Sequence, residues 1–369
     1  MYEITINLGI LLKINQRIFK SVSDHPQTAM HMNQPAIGAQ DSYKNAPLHP
    51  DICMQADLSI VIGTRNRKEI LGKCLNALIG KIKASHQIIV IDAGSTDGTI
   101  EYLKDIAEIH LICDAKPIGQ AQSFNRVFPS LKGRFICWLS DDNVVQPGVL
   151  DTAVKILQRN NKMGLVALKV KDVIGPRTRL PYIGGIRKTG ILNCNQGVIR
   201  SDLFKKIGYF DESFKNYGID PDLTAKVLLA GYRVVYTKTV AIHHFREHDS
   251  EDSAISKVDR EKNKELLNKR YNAKYSYLMD YKFFEKFKMR IKKFVWRYIK
   301  RLNKRLEKKG FPIESITGKN MKDWKNLTKA RHISIFDFFY NRNSPYYLEQ
   351  HFPKKFLLSK KNPFKTLIE

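Results

Sequence analysis

The chain has 369 residues, and its 63 Lys+Arg against 36 Asp+Glu give a net charge of +27. Hydrophobic residues make up 43% of it, which excludes a mostly disordered chain and a collagen-like repeat. Five cysteines without a CxxC pair argue against a zinc site or a disulfide framework and favour a reducing compartment. The excess of basic residues favours an anionic partner, such as nucleic acid, an acidic membrane surface or a phosphorylated substrate.

The N-terminal part of the chain carries few signs of regular structure. Residues 21–56 are rich in Pro, His, Gln, Asn and Asp and show no sustained hydrophobic period. We therefore predict that residues 1–56 form a poorly ordered leader or arm. The apolar stretch 4–12 is too short to span a bilayer and has no basic region before it, which argues against a secretory signal.

Short apolar runs alternate with helical patterns between residues 57 and 250. The predicted strands, all β-branched or aromatic in character, are 57–63, 87–92, 109–113, 134–140 and 164–170. This alternation predicts an α/β fold with a doubly wound, mostly parallel sheet and helices on both faces. Ligands of such sheets bind beyond the carboxyl ends of the strands, so those positions are the first place to look for chemistry.

Polar side chains follow three of these predicted strands. Thr64-Arg65-Asn66-Arg67 follows the first, Asp92 ends the second, and Ser140-Asp141-Asp142-Asn143 follows the fourth. Parallel strands would bring all three groups to one edge. Carboxylates beside basic groups suit a nucleotide bound through a divalent cation, because hard cations prefer carboxylate and phosphate oxygens. Taken singly, each Asp also fits a turn or a helix cap.

Taken together, the order and spacing of seven motifs resemble those of the family-2 glycosyltransferases, which have the GT-A fold. The resemblance covers about half the chain, from Asp57 to His248. The motifs are SIVIGTRNR, IIVIDAGSTDGT, IGQAQSFN, WLSDDNVVQPGVL, GVIRSDLFKKIGYFDESF, YGIDPDL and GYRVVYTKTVAIHH.

The resemblance implies a site for a nucleotide-sugar donor and a divalent cation, Mn²⁺ or Mg²⁺. Matching positions assign the donor site to Thr64, Arg67, Asp92, Gly119, Asn125 and Asp141. They assign the cation to Asp142 and His243, with His244 as the alternative. Ser140 stands where the family has its first acidic residue, which makes Asp141 a substitute for it.

The motif YGIDPDL implies the catalytic base. Asp220 matches the base of the family, and Asp222, like Gly197 in NCNQGVIR, is expected on the acceptor side. An acceptor hydroxyl needs a carboxylate to take its proton, and in-line attack with one base inverts the anomeric centre. A structural role is the alternative, since Asp220 could cap a helix that begins at Pro221.

The last third of the sequence differs from the rest. Residues 251–369 hold 31 Lys+Arg and 13 Asp+Glu, a net charge of +18, and we predict a basic, mainly helical extension. Within it, residues 283–309 place aromatic and aliphatic side chains at intervals of three or four among many basic residues. This pattern favours a helix lying in an anionic membrane surface. Packing on the catalytic domain and nucleic-acid binding are the alternatives.

These patterns lead to one functional hypothesis. We expect an inverting glycosyltransferase that moves a sugar from a nucleotide donor to a hydroxyl of a glycan or lipid-linked acceptor, in cell-surface polysaccharide or glycolipid synthesis. We expect a cytoplasmic protein, peripheral on the inner face of the membrane, without a nucleic-acid partner. The alternatives are a sugar nucleotidyltransferase, for which GTRNR is poor in glycine, and a non-enzymatic nucleic-acid- or membrane-binding protein.

Overall fold

The computed structural model describes most of the region predicted to be catalytic and two parts of the extension. The longer described ranges are 56–175, 191–214, 218–246, 254–279, 346–352 and 354–368. All of them belong to one compact unit, residues 47–369. The predicted leader, apart from Ala56, and the predicted membrane helix 283–309 lie outside the described residues.

Strands and helices alternate through the first half of the described chain, as the sequence predicts. The strands are β1 (Leu58–Thr64), β2 (His86–Asp92), β3 (Ile109–Cys113), β4 (Phe135–Ser140), β5 (Asn143–Val145), β6 (Met163–Ala167), β7 (Val170–Ile174), β8 (Gly185–Ile186), β9 (Leu192–Asn193), β10 (Gly197–Arg200), β11 (Arg233–Thr237), β12 (Ile242–Phe245) and β13 (Tyr346–Gln350). The α-helices are α1 (Lys68–Asn76), α2 (Thr99–Lys104), α3 (Gln120–Val127), α4 (Val149–Arg159), α5 (Ser201–Lys206), α6 (Ile219–Leu229), α7 (Ala254–Lys274) and α8 (Lys354–Leu357).

The central sheet has eight strands in the order β13-β11-β6-β10-β4-β1-β2-β3. Strands β1, β2, β3 and β4 pair in parallel, and β6 and β11 run in the same direction. Strands β10 and β13 run the opposite way. The fold is therefore of the GT-A type, with a mostly parallel sheet. A separate three-stranded sheet, β5-β12-β7, adjoins the end of β4 in sequence.

Apolar side chains cover both faces of the sheet, which is what a parallel sheet requires. Along β4, Ile136 and Trp138 belong to one hydrophobic cluster, and Cys137 and Leu139 belong to the other. Successive side chains of a strand point to opposite faces, so the continuous apolar run FICWL serves two cores at once. Trp138 is a core residue, since it is only 1% exposed.

The end of the chain completes the same sheet. Strand β13 pairs antiparallel with β11, and Glu349 accepts an ion-pair contact of 2.8 Å from Arg233. Further on, the buried Asn362 donates hydrogen bonds to the carbonyls of Leu229 (2.9 Å) and Leu357 (2.8 Å). The central sheet therefore includes β13, which comes from the part of the chain after residue 250 that the sequence predicts to be an extension. Among the described residues no helix has both the length and the apolar character needed to cross a bilayer.

Candidate functional site

The carboxyl ends of β1, β2 and β4 meet at one edge of the central sheet. Thr64 is the register partner of Asp92, and Gly63 is the partner of Ser140. The three groups of polar residues that the sequence places after these strands therefore lie side by side. This convergence follows from the parallel pairing that the alternating pattern predicts.

Two adjacent carboxylates at this edge share one guanidinium. Arg67 Nη1 lies 3.0 Å from Asp141 Oδ1 and 3.3 Å from Asp142 Oδ2, while the Thr64 hydroxyl donates to Asp141 Oδ2 at 2.8 Å. Burial raises the pKa of Asp141 to about 6; Arg67 opposes this shift, and the charge of Asp142 adds to it. The structure thus brings together Thr64, Arg67, Asp141 and Asp142.

Strand β12 adds a histidine to this pair of carboxylates. His244 Nε2 lies 3.1 Å from Asp142 Oδ2, and its Nδ1 lies 2.8 Å from the fully buried Asp172. Burial opposes charging of His244, but its bonds to Asp142 and Asp172 outweigh this and raise its pKa above the ordinary 6.5. Burial likewise opposes ionisation of Asp142, yet His244 and Arg67 hold its pKa below the usual value.

The two adjacent histidines of β12 are not equivalent. Neighbouring residues of a strand point to opposite faces, so only one of them can face Asp142. The sequence motif favours His243, whereas the contact in the structure is made by His244. The strand is fixed by pairing of His244 with Asn143 of β5 and with Asp172 of β7. The register of these pairs sets which histidine faces the carboxylate.

We expect the charged form of His244 to make folding stability depend on pH. Because its folded pKa is raised above 6.5, its contribution is fully present below about pH 6.5 and is lost as the pH rises through the folded value. The free energy of unfolding of the wild type should therefore exceed that of His244→Asn most in acid. Urea denaturation from about pH 5.5 to about pH 8.5, in a chelator, measures this difference. His243→Asn is the control, and its difference from wild type should not change with pH. If the difference depended on pH for His243→Asn but not for His244→Asn, the assignment to His244 would be contradicted.

Asp92 holds the turn that follows β2. Its Oδ1 accepts hydrogen bonds from the backbone N–H groups of Gly94 (2.9 Å) and Ser95 (2.7 Å), and its Oδ2 accepts one from the Ser95 hydroxyl (2.5 Å). Asp92 is itself fully buried. The Asn66 N–H donates to Ser95 Oγ at 2.8 Å, which ties this turn to the loop after β1. Asp92 thus organises the edge, and contact with a nucleoside remains a prediction.

Gly119 and Asn125 lie at the start and within α3. Gly119 precedes the helix with a φ of 98°, in the left-handed region that favours glycine. The Asn125 side chain donates to the Phe210 carbonyl at 2.9 Å and to Glu212 Oε1 at 3.0 Å, and it accepts from the Phe210 N–H at 3.0 Å. Its amide therefore anchors the segment before α6, and its role at a donor remains a prediction.

The segment that leads into β10 contacts the end of β4 and lies close enough to Asp220 for that charge to act on Cys194. Gln196 Nε2 donates to the hydroxyl of Ser140, the residue before Asp141, at 3.2 Å. Two residues earlier, the buried Cys194 has its pKa raised well above 9 by burial and, secondarily, by the negative charge of Asp220. Gly197 has a packing reason for its identity, since a Cβ there would lie 2.9 Å from the Val166 carbonyl oxygen. Its place beneath an acceptor remains a prediction.

Asp220 and Asp222 both lie in the first turn of α6 but differ in exposure. Asp220 is half-buried, and its backbone carbonyl accepts from the Thr224 hydroxyl at 2.9 Å. Asp222 is fully buried, and Lys274 Nζ and the Tyr275 hydroxyl contact its Oδ1. The sequence motif predicts Asp222 on the acceptor side, whereas in the structure its carboxylate points inward, toward the end of α7.

The carboxylate pair Asp141 and Asp142 suits a cation that takes few protein ligands. Among the described residues there is no group of three or more His, Cys, Asp or Glu side chains placed to hold a metal. Asp142 Oδ1, however, is buried and lacks a hydrogen-bond partner within the described part of the chain. Mg²⁺-like ions are commonly held by one or two carboxylates and completed by substrate phosphates. Asp142 fits such a role, and His244 fits it only in the neutral form that has lost its extra proton.

Asp172 is the functional candidate that the sequence analysis misses. In β7 it lies in phase with the buried Val170, so its carboxylate points toward the interior. A carboxylate at a buried position of a strand requires a polar or charged partner. An Asp in phase with a buried apolar residue is therefore the sequence signal that could have revealed this candidate. His244 is that partner, and Arg246 Nε lies 3.5 Å from the other oxygen.

The fold and the strand-end carboxylates define an α/β protein of the GT-A type with a candidate nucleotide site. Residues 59–218 match the family described as Glycosyl transferase family 2. The resemblance predicted from the sequence motifs is thereby confirmed.

Curated relatives agree with this assignment at low identity. An uncharacterized glycosyltransferase of Nostoc sp. is 26% identical over 137 residues, covering 36% of this chain and 39% of the relative. One of Rickettsia typhi is 24% identical over 210 residues, covering 53% of this chain and 65% of the relative. The matches thus span less than two thirds of these relatives' lengths.

Two solved structures are similar to part of this chain. TarS residues 1–349 of S. aureus in complex with UDP-GlcNAc is 17% identical, with a TM-score of 0.45, covering 57% of this chain and 65% of that one. The mannosyltransferase PcManGT of Pyrobaculum calidifontis, in complex with GDP-Man and Mn²⁺, is 17% identical, with a TM-score of 0.44, covering 64% and 76%.

Proposed function

We propose that this protein transfers a sugar from a nucleotide-sugar donor to a hydroxyl of a glycan or lipid-linked acceptor, with inversion at the anomeric carbon. The observation that supports this best is the edge cluster of Asp141, Asp142, Arg67 and His244. It holds two carboxylates with two cationic side chains beyond the ends of parallel strands. We place the reaction in cell-surface polysaccharide or glycolipid synthesis.

The donor side of the proposed reaction must stabilise a departing nucleoside diphosphate. Breaking the bond to the anomeric carbon leaves negative charge on the diphosphate, and cationic groups fixed beforehand stabilise that charge. Arg67 is held by two carboxylates, and His244 is oriented by Asp172, so both are positioned before the donor binds. A divalent cation held by Asp142, with His244 as a ligand in its neutral form in place of the charged imidazolium, would instead supply this stabilisation as a Lewis acid.

The acceptor side requires a base across from the diphosphate. Asp220 is only half-buried, unlike its neighbour Asp222, so its carboxylate is the one in this turn that can meet a substrate. It would take the proton of the attacking hydroxyl. The oxygen then bonds to the anomeric carbon as the bond to the diphosphate breaks on the opposite side.

The proposed reaction can be tested with a panel of donors. Incubation of the full chain with UDP-, GDP- and dTDP-sugars should release nucleoside diphosphate from at least one of them, and an acceptor glycan or lipid-linked sugar should raise the rate. Release of pyrophosphate from a nucleoside triphosphate plus a sugar phosphate would instead indicate a nucleotidyltransferase. Failure of every donor, with and without Mn²⁺ or Mg²⁺, would contradict the proposal.

We further propose that residues 283–309, outside the described part of the chain, bind an anionic membrane surface from the cytoplasmic side. We expect the chain to float with vesicles of anionic lipid and to remain in solution with neutral vesicles. Replacing Phe287, Ile291 and Phe294 by Ser should abolish flotation, because burial of their side chains would be lost. The matched replacement of the same three by Leu keeps the apolar face and should retain it. Equal flotation of the Ser variant would contradict the prediction.

A further inference from the structure

A fully buried carboxylate lies two residues after Asp220, in the same helical turn. Asp222 Oδ1 accepts hydrogen bonds from Lys274 Nζ at 2.7 Å and from the Tyr275 hydroxyl at 2.6 Å. Its Oδ2 is buried and finds no hydrogen-bond partner in the part of the chain that the structure describes. Lys274 is the last residue of α7 and Tyr275 follows it directly, and both lie beyond the segment 59–218 that matches the family.

The same end of α7 also holds the segment that precedes α6. Lys274 Nζ makes a second contact of 2.7 Å with Asp211 Oδ2. One turn earlier, Arg270 donates to the Ser213 carbonyl at 2.7 Å. The end of α7 therefore contacts the chain on both sides of the turn at which α6 begins. On its other side, the 210–212 segment is anchored by Asn125 of α3.

The charges at this contact favour a fixed arrangement. Burial acts to lower the pKa of Lys274, but Asp222 and Asp211 outweigh it and raise that pKa, so the ammonium stays charged. Burial, with the charge of Asp222, raises the pKa of Tyr275 well above its ordinary value, so its hydroxyl remains a donor. Removing Lys274 or the Tyr275 hydroxyl leaves the buried Asp222 carboxylate without one of its hydrogen-bond donors, which is unfavourable. The first turn of α6 would have to shift to relieve this cost.

We propose that Lys274 and Tyr275 are positioning residues for the base: through Asp222 they hold the first turn of α6 where Asp220 can reach the acceptor hydroxyl. This inference rests on the proposed function. Asp220 and Asp222 lie within one helical turn, so a displacement of the Asp222 backbone also displaces Asp220. A misplacement of about 1 Å at a reacting centre can cost about 100-fold in rate.

The test compares four variants of the full chain in the donor assay. We expect Lys274→Met and Tyr275→Phe to lower kcat for transfer about 10- to 100-fold, with donor KM and nucleoside diphosphate affinity within about twofold of wild type. Lys274→Arg keeps the charge and should recover most of kcat. The control is Lys269→Met, on the same helix, where the side chain is 74% exposed and pairs only with the exposed Glu265 among the described contacts.

The outcomes separate this inference from the proposed function. Wild-type chain that releases no nucleoside diphosphate from any donor would refute the function itself. If the wild type is active and Lys274→Met and Tyr275→Phe have the same kcat as Lys269→Met, the positioning role is overturned, while the proposed function stands. Equal losses in kcat and in nucleoside diphosphate affinity would also overturn it, since they indicate general disruption. Should Lys274→Met fail to fold, Tyr275→Phe, which lacks only one oxygen, decides the question by the same measurements.

Discussion

Replacing Asp220 by Asn is expected to lower the rate of sugar transfer about 100- to 10,000-fold while leaving donor binding intact. The amide has nearly the same shape as the carboxylate but cannot accept the proton of the attacking hydroxyl. The half-buried side chain lies in the first turn of α6, and its backbone carbonyl contact with Thr224 does not depend on the carboxylate. Steady-state release of nucleoside diphosphate, with isothermal titration of the nucleotide, measures both quantities.

The control for this variant is Asp105→Asn. Asp105 is an exposed carboxylate directly after α2, so its replacement should leave kcat and donor affinity unchanged. A folded Asp220→Asn chain that transfers sugar at the wild-type rate would remove Asp220 from the mechanism. A chain that loses nucleotide affinity to the same extent as kcat would indicate that Asp220 serves donor binding instead.

The second large effect is expected for Asp142→Asn, with kcat for transfer falling about 100- to 1,000-fold. Asp142 contacts both Arg67 and His244, so neutralising it loosens two cations that would face the leaving diphosphate. It also removes the carboxylate that fits a divalent cation. We therefore expect weaker Mn²⁺ binding, measured by titration calorimetry in the absence of donor, together with the loss in rate.

Asp105→Asn again provides the matched carboxylate-to-amide control, far along the chain from these contacts. Wild-type Mn²⁺ affinity in Asp142→Asn would contradict a role for Asp142 as a cation ligand. Wild-type kcat in the same variant would contradict the placement of the diphosphate against this cluster.

The strands that carry the donor-side residues could be predicted because their apolar runs are local signals. β1, β2 and β4 are buried on both faces, so each is a continuous β-branched or aromatic run, and parallel pairing then fixes the edge where Thr64, Asp92 and Asp141 meet. The family motifs supplied the same residues independently. Strand β10, at four residues, is too short for its antiparallel direction to be read from the sequence.

Other features depend on pairings that no local pattern contains. The choice between His243 and His244 follows from the register of β12 against β5 and β7, because both histidines end the same apolar run. Strand β13 joins β11 from more than 100 residues away in sequence. The motif around Asp222 predicts a place on the acceptor side, whereas its partners in the structure are 52 and 53 residues further along the chain.

A crystal structure of the chain with a bound nucleoside diphosphate and Mn²⁺ would show directly whether the strand-end carboxylates and Asp220 act on one substrate. The nucleotide to use is the one released in the donor assay. We predict that the diphosphate lies against Asp142 and His244 and that the Asp220 carboxylate faces its terminal phosphate across an open space large enough for a sugar. A nucleotide bound away from Asp142, or an Asp220 carboxylate directed away from the diphosphate, would contradict a shared site.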